Sequence, residues 1–131
     1  MIPTDPGTIG ETPALLIIDP QHDFLDPEVP VYCPSSSVND TKQVITNINT
    51  LVETARAADL PIIWTKESHR PDHSDYGAEI LSVEKDHPIA ETLGEEFVEE
   101  LEIPEGGLPA AEYVVRKRRY NCFHNTDLMH L

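Results

Sequence analysis

The sequence predicts an α/β domain built on a parallel β-sheet, and three observations support this fold class. Short apolar runs recur at residues 14–18, 62–64 and 113–115, and each has the length of a strand rather than a helix. A stretch with helical periodicity separates the first two runs, an order typical of a right-handed parallel crossover. A polar residue directly follows each of the three apolar runs. We therefore expect one Rossmann-like, three-layer α/β/α sandwich domain over residues 1–131, with 1–13 as a leader.

The first strand is predicted at residues 14–19, where an apolar run is stopped by Asp19 and Pro20. The run is continuous rather than alternating, which is typical of parallel strands that are buried on both faces. The segment from 21 to 37 is rich in proline, so we expect it to be a loop.

An amphipathic helix is predicted from Val38 to just before Pro61. Its apolar positions follow helical spacing, and Ser37 is the expected N-cap because Asp40 stands three residues later. The second strand is predicted directly after this helix, at residues 62–65.

The second half of the chain is more irregular. A long polar loop is expected over residues 66–90, since nothing there has strand or helix periodicity. Thr92 and Glu95 have the spacing of a capping box, which predicts a helix that continues to Leu101. The remaining predicted elements are a strand at 113–117 and the start of a helix near 125–127.

The charge composition argues against nucleic acid as a ligand. There are 24 Asp and Glu residues against 9 Lys and Arg, which gives a formal net charge of −15. A polyanion would be repelled by such a chain. The acidic residues are spread along the sequence, so a solvated acidic surface is the simplest interpretation.

The sequence shows no sign of export or membrane insertion. No apolar run approaches the roughly 20 residues needed to span a bilayer. The N-terminus has neither a basic start nor an apolar segment, so it does not resemble a secretory signal. The two cysteines, Cys33 and Cys122, lack the spacing of a disulfide framework or a zinc site. We therefore expect a cytoplasmic protein with no membrane partner.

Two charged residues end predicted strands and are candidates for catalysis. Asp19 closes the first strand and Lys117 closes the third. Binding sites of open α/β sheets form at the carboxyl ends of the strands. If these strands are neighbours, each charge favours the ionised form of the other, and the pair can serve as a proton relay beside a nucleophile. Position alone leaves open a structural ion pair or two unrelated surface charges.

Two motifs resemble those of a known family. The run from Leu16 to Phe24 is an apolar strand that ends in Asp, followed by Gln, a polar residue, Asp and Phe. The run from Val114 to Phe123 surrounds Lys117 and is followed by Thr126-Asp127-Leu128. In order and spacing, the two resemble the opening motif and the lysine motif of the isochorismatase-like cysteine hydrolases. Intervening segments resemble the biuret hydrolase and N-carbamoylsarcosine amidase branch of that family: Ser68 to Asp72, His87 and Glu91 to Glu95.

The resemblance implies a Cys–Asp–Lys triad that hydrolyses small linear amides or ureides, of the biuret or N-carbamoyl type, through a thioester. In that scheme Asp19 takes the thiol proton, while Lys117 keeps Asp19 ionised and stabilises developing charge. Phe24 is implied to form a wall of the substrate pocket. A thiolate is a strong nucleophile near neutral pH when a base or cation lies within hydrogen-bond reach. No cofactor is implied.

The nucleophile of the family is expected after the lysine motif, beyond Leu131. We therefore expect the C-terminal part of the domain to be missing from this chain and the chain alone to be inactive. Cys33 lies in the proline-rich loop and Cys122 lies within the lysine motif, and neither matches the nucleophile by motif. A homo-oligomer or a complementing C-terminal segment is expected to complete the sheet.

Two alternative functions remain open. Glu67, His69 and His87 resemble in placement the metal ligands of the nicotinamidase branch, and carboxylate and imidazole suit zinc, manganese or iron. The amidases that match His69-Arg70-Pro71 more closely are not metal enzymes, so no metal is predicted. The other alternative is a catalytically inactive module that serves in protein interaction.

Overall fold

The computed structural model describes residues 13–29, 40–77, 89–103 and 108–131. Within these residues the chain forms a sheet, two α-helices and two short 3₁₀ helices. The strands are β1 (Leu15–Ile18), β2 (Ile62–Glu67) and β3 (Glu112–Lys117), the helices are α1 (His22–Leu25) and α2 (Thr41–Ala57), and the 3₁₀ helices are Leu93–Glu95 and Asp127–His130.

The strands form one parallel sheet in the order β1–β2–β3. Leu15 of β1 lies beside Ile62 of β2, which in turn lies beside Glu112 of β3. The prediction of three parallel strands in a single sheet is confirmed, and with it the α/β fold class. Because β2 is central, it is buried along nearly its whole length, as expected for a parallel strand with neighbours on both sides.

Helix α2 packs on one face of the sheet and creates the hydrophobic core. The fully buried Trp64 lies at the centre of this core, and burial of so large an aromatic side chain contributes on the order of 2–3 kcal/mol. Its indole N–H donates to Glu112 at 3.0 Å, so the polar end of the ring is not left unpaired. The other buried residues of the core are Ile17, Leu25, Val52, Ala55, Ile62, Val98 and Leu101.

The opposite face of the sheet is less covered by the described residues. Leu16 lies beside Ile63, and Ile63 lies beside Tyr113, so the three side chains share this face. Leu16 is 38%, Tyr113 is 40% and Ile18 is 62% exposed. A sandwich of three layers covers both faces of its sheet. Within the described residues, α2 covers one face of the sheet, and the other face is only partly covered.

Helix α2 begins at Thr41, with Asp40 as its N-cap. The Asp40 carboxylate accepts a hydrogen bond from the Gln43 backbone N–H at 3.1 Å, which satisfies one of the unpaired donors of the first turn. The predicted N-cap, Ser37, is therefore wrong and lies outside the described residues. Asp is as good an N-cap as Ser, so spacing alone did not identify which of the two begins the helix.

The helix predicted from Thr92 to Leu101 is also wrong. The chain forms only the 3₁₀ helix Leu93–Glu95, and the Thr92 hydroxyl donates to the Ile89 carbonyl instead of capping. The segment then becomes extended, and Phe97 forms an antiparallel bridge with Gln21. Tertiary pairing with the exit of β1 overrides the local capping signal here, because it buries Val98 and Leu101 in the core.

Candidate active site

Asp19 and Lys117 meet at the carboxyl edge of the sheet. Asp19 directly follows β1, and Lys117 is the last residue of β3. The Lys117 Nζ atom lies 2.6 Å from Asp19 Oδ2, and the Lys117 side chain is only 2% exposed. The two charges are therefore in direct contact. Their strands are not neighbours, however: β2 lies between them, and the lysine side chain spans it to reach the aspartate.

Thr65 of β2 fixes the orientation of Asp19. Its hydroxyl donates to Asp19 Oδ1 at 2.6 Å, and the Asp19 N–H donates to the Thr65 carbonyl at 3.2 Å. Asp19 has a left-handed backbone conformation, with φ of 51°. Aspartate tolerates this region better than most residues, although it costs on the order of 1 kcal/mol. The turn is held by these hydrogen bonds and places the carboxylate over the end of β2.

Burial dominates the ionisation of Asp19. It raises the pKa of the carboxyl above its ordinary value, and the nearby Glu67 raises it further. Lys117 and the Thr65 hydrogen bond lower the pKa, but they do not outweigh burial. Asp19 therefore takes up a proton more readily than an exposed aspartate, which is a useful property for a group that accepts a proton and later returns it.

A row of buried ionisable groups continues from Lys117. Glu67 Oε2 lies 3.7 Å from Lys117 Nζ, and Glu67 Oε1 lies 3.1 Å from Nε2 of the fully buried His69. His69 Nδ1 is 3.6 Å from Asp75 Oδ1. Two of the three candidate metal ligands, Glu67 and His69, are thus in contact. The third, His87, lies outside the described residues, and among those described no group of three could hold a metal ion.

Gln21 is a structural member of the site that sequence reasoning did not single out. Its side-chain amide donates to the carbonyls of Glu67 and Glu95, both at 2.8 Å, and accepts from the Glu67 N–H at 2.7 Å. Gln21 is completely buried, so this amide joins the exit of β1, the end of β2 and the 3₁₀ helix. Its place two residues after Asp19, at the end of an apolar strand, was the available signal.

The remaining candidates from the sequence are Phe24 and the two cysteines. Phe24 is half-buried on α1 and packs against the hydrophobic core, so its role as a pocket wall stays a prediction. Cys122 is half-buried in the turn after β3, and Cys33 lies outside the described residues. Among the residues that the structure describes, the Asp19 carboxylate is paired with Lys117 and Thr65, not with a thiol.

The sequence profile of the isochorismatase domain matches residues 13–131. The chain belongs to the isochorismatase family. Over 119 residues it is 30% identical to a protein from Arabidopsis thaliana named as a probable inactive nicotinamidase, covering 88% of this chain and 56% of that protein. The predicted family is confirmed.

Two solved structures show the same fold. An isochorismatase family protein from Desulfovibrio vulgaris is 30% identical, with a TM-score of 0.70, and the match covers 91% of this chain and 59% of that one. N-carbamoylsarcosine amidase from Thermoplasma acidophilum is 23% identical, with a TM-score of 0.64 and the same coverage. The chain thus spans somewhat more than half the length of these relatives. In the described ranges, no helix is long and apolar enough to cross a membrane.

Proposed function

We propose that the protein is an amidohydrolase that acts on small linear amides or ureides, of the biuret or N-carbamoyl type, with Asp19 and Lys117 as catalytic residues. The observation that carries this proposal is the 2.6 Å contact between Lys117 Nζ and Asp19 Oδ2 at the carboxyl edge of the sheet. Asp19, a carboxylic acid with a raised pKa, is paired with the buried ammonium group of Lys117, and such a pair has the properties of a proton-transfer site. Membership of a family that includes amidases supports the reaction class.

In the proposed mechanism, the nucleophile is a cysteine contributed by residues beyond Leu131. Asp19 accepts its proton, and the thiolate attacks the amide carbon to form a tetrahedral intermediate. Asp19 then returns the proton to the departing nitrogen, which leaves as ammonia or an amine, and a thioester remains. Water, deprotonated by Asp19, hydrolyses the thioester and restores the thiol. Lys117 stabilises ionised Asp19 and the charge that develops near it.

The free edge of β3 supports a partner segment in this proposal. Among the described residues, β3 pairs only with β2, and Tyr113 and Val114, on its two faces, are 40% and 44% exposed. An unpaired strand edge offers N–H and C=O groups to another chain segment. We infer that a complementing C-terminal segment, or a second copy in a homo-oligomer, covers this edge. Among the described residues β1 is likewise paired only with β2, and a segment at the edge of β1 would bring the cysteine beside Asp19.

The proposal is tested by measuring the rate at which the full-length protein releases ammonia from biuret and from an N-carbamoyl amino acid. We expect Asp19→Asn and Lys117→Met to lower kcat/KM by roughly 10³-fold or more, since each removes a member of a unit that acts together. Lys42→Met, which removes an exposed charge on α2, is the control and should change kcat/KM less than twofold. If neither Asp19→Asn nor Lys117→Met lowers kcat/KM, the assignment of Asp19 and Lys117 as catalytic residues is contradicted.

Two observations favour the alternative functions. The contact between Glu67 and His69 at 3.1 Å fits two ligands of a metal-containing nicotinamidase, and metal analysis with a nicotinamide assay tests this reading. The likeness to a probable inactive nicotinamidase favours a module without activity. This alternative would be supported if the full-length wild-type protein binds other proteins but releases no ammonia from biuret, an N-carbamoyl amino acid or nicotinamide.

A further inference from the structure

Positive charge is concentrated at the end of β3. Four of the nine Lys and Arg residues of the sequence are consecutive, at 116–119, in a chain with a formal net charge of −15. Lys117 is buried and paired with Asp19. The three arginines beside it, Arg116, Arg118 and Arg119, take no part in the proposed reaction.

The three arginines line one cavity of about 570 Å³, together with Ser68, His124 and Asn125. This volume lies within the range of about 300–1,000 Å³ that is typical of small-molecule sites. Among the described lining residues Asp75 is the one carboxylate, and the Glu95 carboxylate lies near Arg116 outside the lining. The three guanidinium groups therefore exceed the carboxylates near them in number. Neither Asp19 nor Lys117 lines this cavity, although Arg116 and Arg118 flank Lys117 in the chain and the Ser68 N–H donates to the Lys117 carbonyl at 3.0 Å.

Many of the guanidinium N–H groups have no partner among the described residues. Arg118 Nε lies 3.0 Å from Asp75 Oδ2, and Arg119 Nη1 donates to the Asp75 carbonyl at 2.6 Å and to the Arg118 carbonyl at 2.5 Å. The Arg116 side chain is 67% exposed, and its Nε is 3.8 Å from a Glu95 carboxylate oxygen, beyond hydrogen-bond distance. Each guanidinium carries five N–H donors in a planar fork. The cavity therefore keeps donors that suit an anion.

We propose that this cavity, which we call the arginine cavity, binds a small molecule that bears a carboxylate or phosphate group. Planar guanidinium groups bind both oxyanions through paired, charge-assisted hydrogen bonds. Within the chain, Arg118 Nε already makes one charged contact with a carboxylate, that of Asp75, at 3.0 Å. The site goes beyond the proposed hydrolysis, since the cavity that holds the anion is lined by neither Asp19 nor Lys117.

Calorimetric titration of the full-length protein at low salt tests the proposal, with succinate and inorganic phosphate as probes and uncharged succinamide as the matched control. We expect one or both anions to bind with one-to-one stoichiometry and succinamide not to bind. Binding of succinate alone identifies a carboxylate ligand, and binding of phosphate alone identifies a phosphorylated one. No binding of either anion at millimolar concentration, or equal binding of succinamide, would overturn the proposal.

Variants then locate the site. Arg116→Gln and Arg119→Gln should each weaken anion binding roughly tenfold or more, because each removes hydrogen bonds to a charged group. Lys42→Gln makes the same change in net charge on exposed α2 and should leave the affinity unchanged. Arg116→Lys keeps the charge and should weaken binding less than Arg116→Gln does, which separates anion binding from a loss of folding. Equal weakening by Lys42→Gln would show a nonspecific charge effect and contradict the site.

Discussion

Replacement of Lys117 by methionine should destabilise the folded protein in a pH-dependent way. Methionine preserves much of the length and apolar character of the side chain but removes the ammonium. Asp19, whose side chain is 15% exposed, and the buried Glu67 then lose the cation that lies 2.6 Å and 3.7 Å from their carboxylates. Removal of one partner from a buried ion pair typically costs about 3–5 kcal/mol, and we expect about 3 kcal/mol near pH 7.5.

The pH dependence follows from the direction of the Asp19 pKa. Burial already raises this pKa in the folded state, and loss of Lys117 removes a cause that lowers it. A raised folded-state pKa means that the folded protein binds the proton more tightly than the unfolded chain does. The cost is therefore full at a pH above the folded-state pKa and declines as the pH falls through it toward the ordinary aspartate value.

Urea unfolding of the full-length wild type and of Lys117→Met at pH 7.5 and pH 5 measures both effects. The difference in the free energy of unfolding should be about 3 kcal/mol at pH 7.5 and clearly smaller at pH 5. Lys42→Met, on exposed α2, should stay within about 0.5 kcal/mol of wild type at both values. A loss of unfolding free energy below about 1 kcal/mol, or one that is the same at both pH values, would refute this account, in which the ion pair is buried and burial raises the Asp19 pKa.

Three further predictions concern the same edge of the sheet. Gly94→Ala should destabilise the protein by about 1–3 kcal/mol in urea unfolding, because an added Cβ would collide with the Asp23 carboxylate; a neutral effect would mean that this carboxylate moves aside freely. Gln21→Ala should cost about 3 kcal/mol by the same measurement, since it leaves buried backbone groups of Glu67 unpaired; a cost near that of an exposed alanine substitution would contradict the network. The acid limb of kcat/KM against pH should lie above the ordinary aspartate pKa of about 3.9, because ionised Asp19 is required and its pKa is raised; activity that is constant down to pH 4 would exclude this role.

The strands were predictable because their signal is local. Continuous apolar runs at 14–18 and 62–64 identify β1 and the start of β2, and the structure extends β2 through the polar residues Lys66 and Glu67. Those two residues are buried because β2 is central, a property of strand order that periodicity does not contain. The position of β2 between the strands of Asp19 and Lys117 was not predictable for the same reason.

The rest of the site depends on contacts between distant segments. The capping-box spacing of Thr92 and Glu95 indicated a helix, yet the segment pairs with the exit of β1, with the Val98 N–H donating to the Pro20 carbonyl at 3.2 Å. The three hydrogen bonds of Gln21 likewise join residues that are 46 and 74 positions apart. A motif can mark such a residue, but only the fold shows which backbone groups it satisfies.

The most direct test of the catalytic assignment is the rate at which iodoacetamide alkylates each cysteine of the full-length protein, followed by peptide mass spectrometry. Asp19 is proposed to deprotonate a thiol that lies beyond Leu131, so that cysteine should react fastest near neutral pH, and Asp19→Asn should slow its alkylation roughly tenfold or more. Cys122 should react slowly and equally in both proteins. Fastest labelling at Cys33 or Cys122, or a rate beyond Leu131 that is unchanged by Asp19→Asn, would contradict the account.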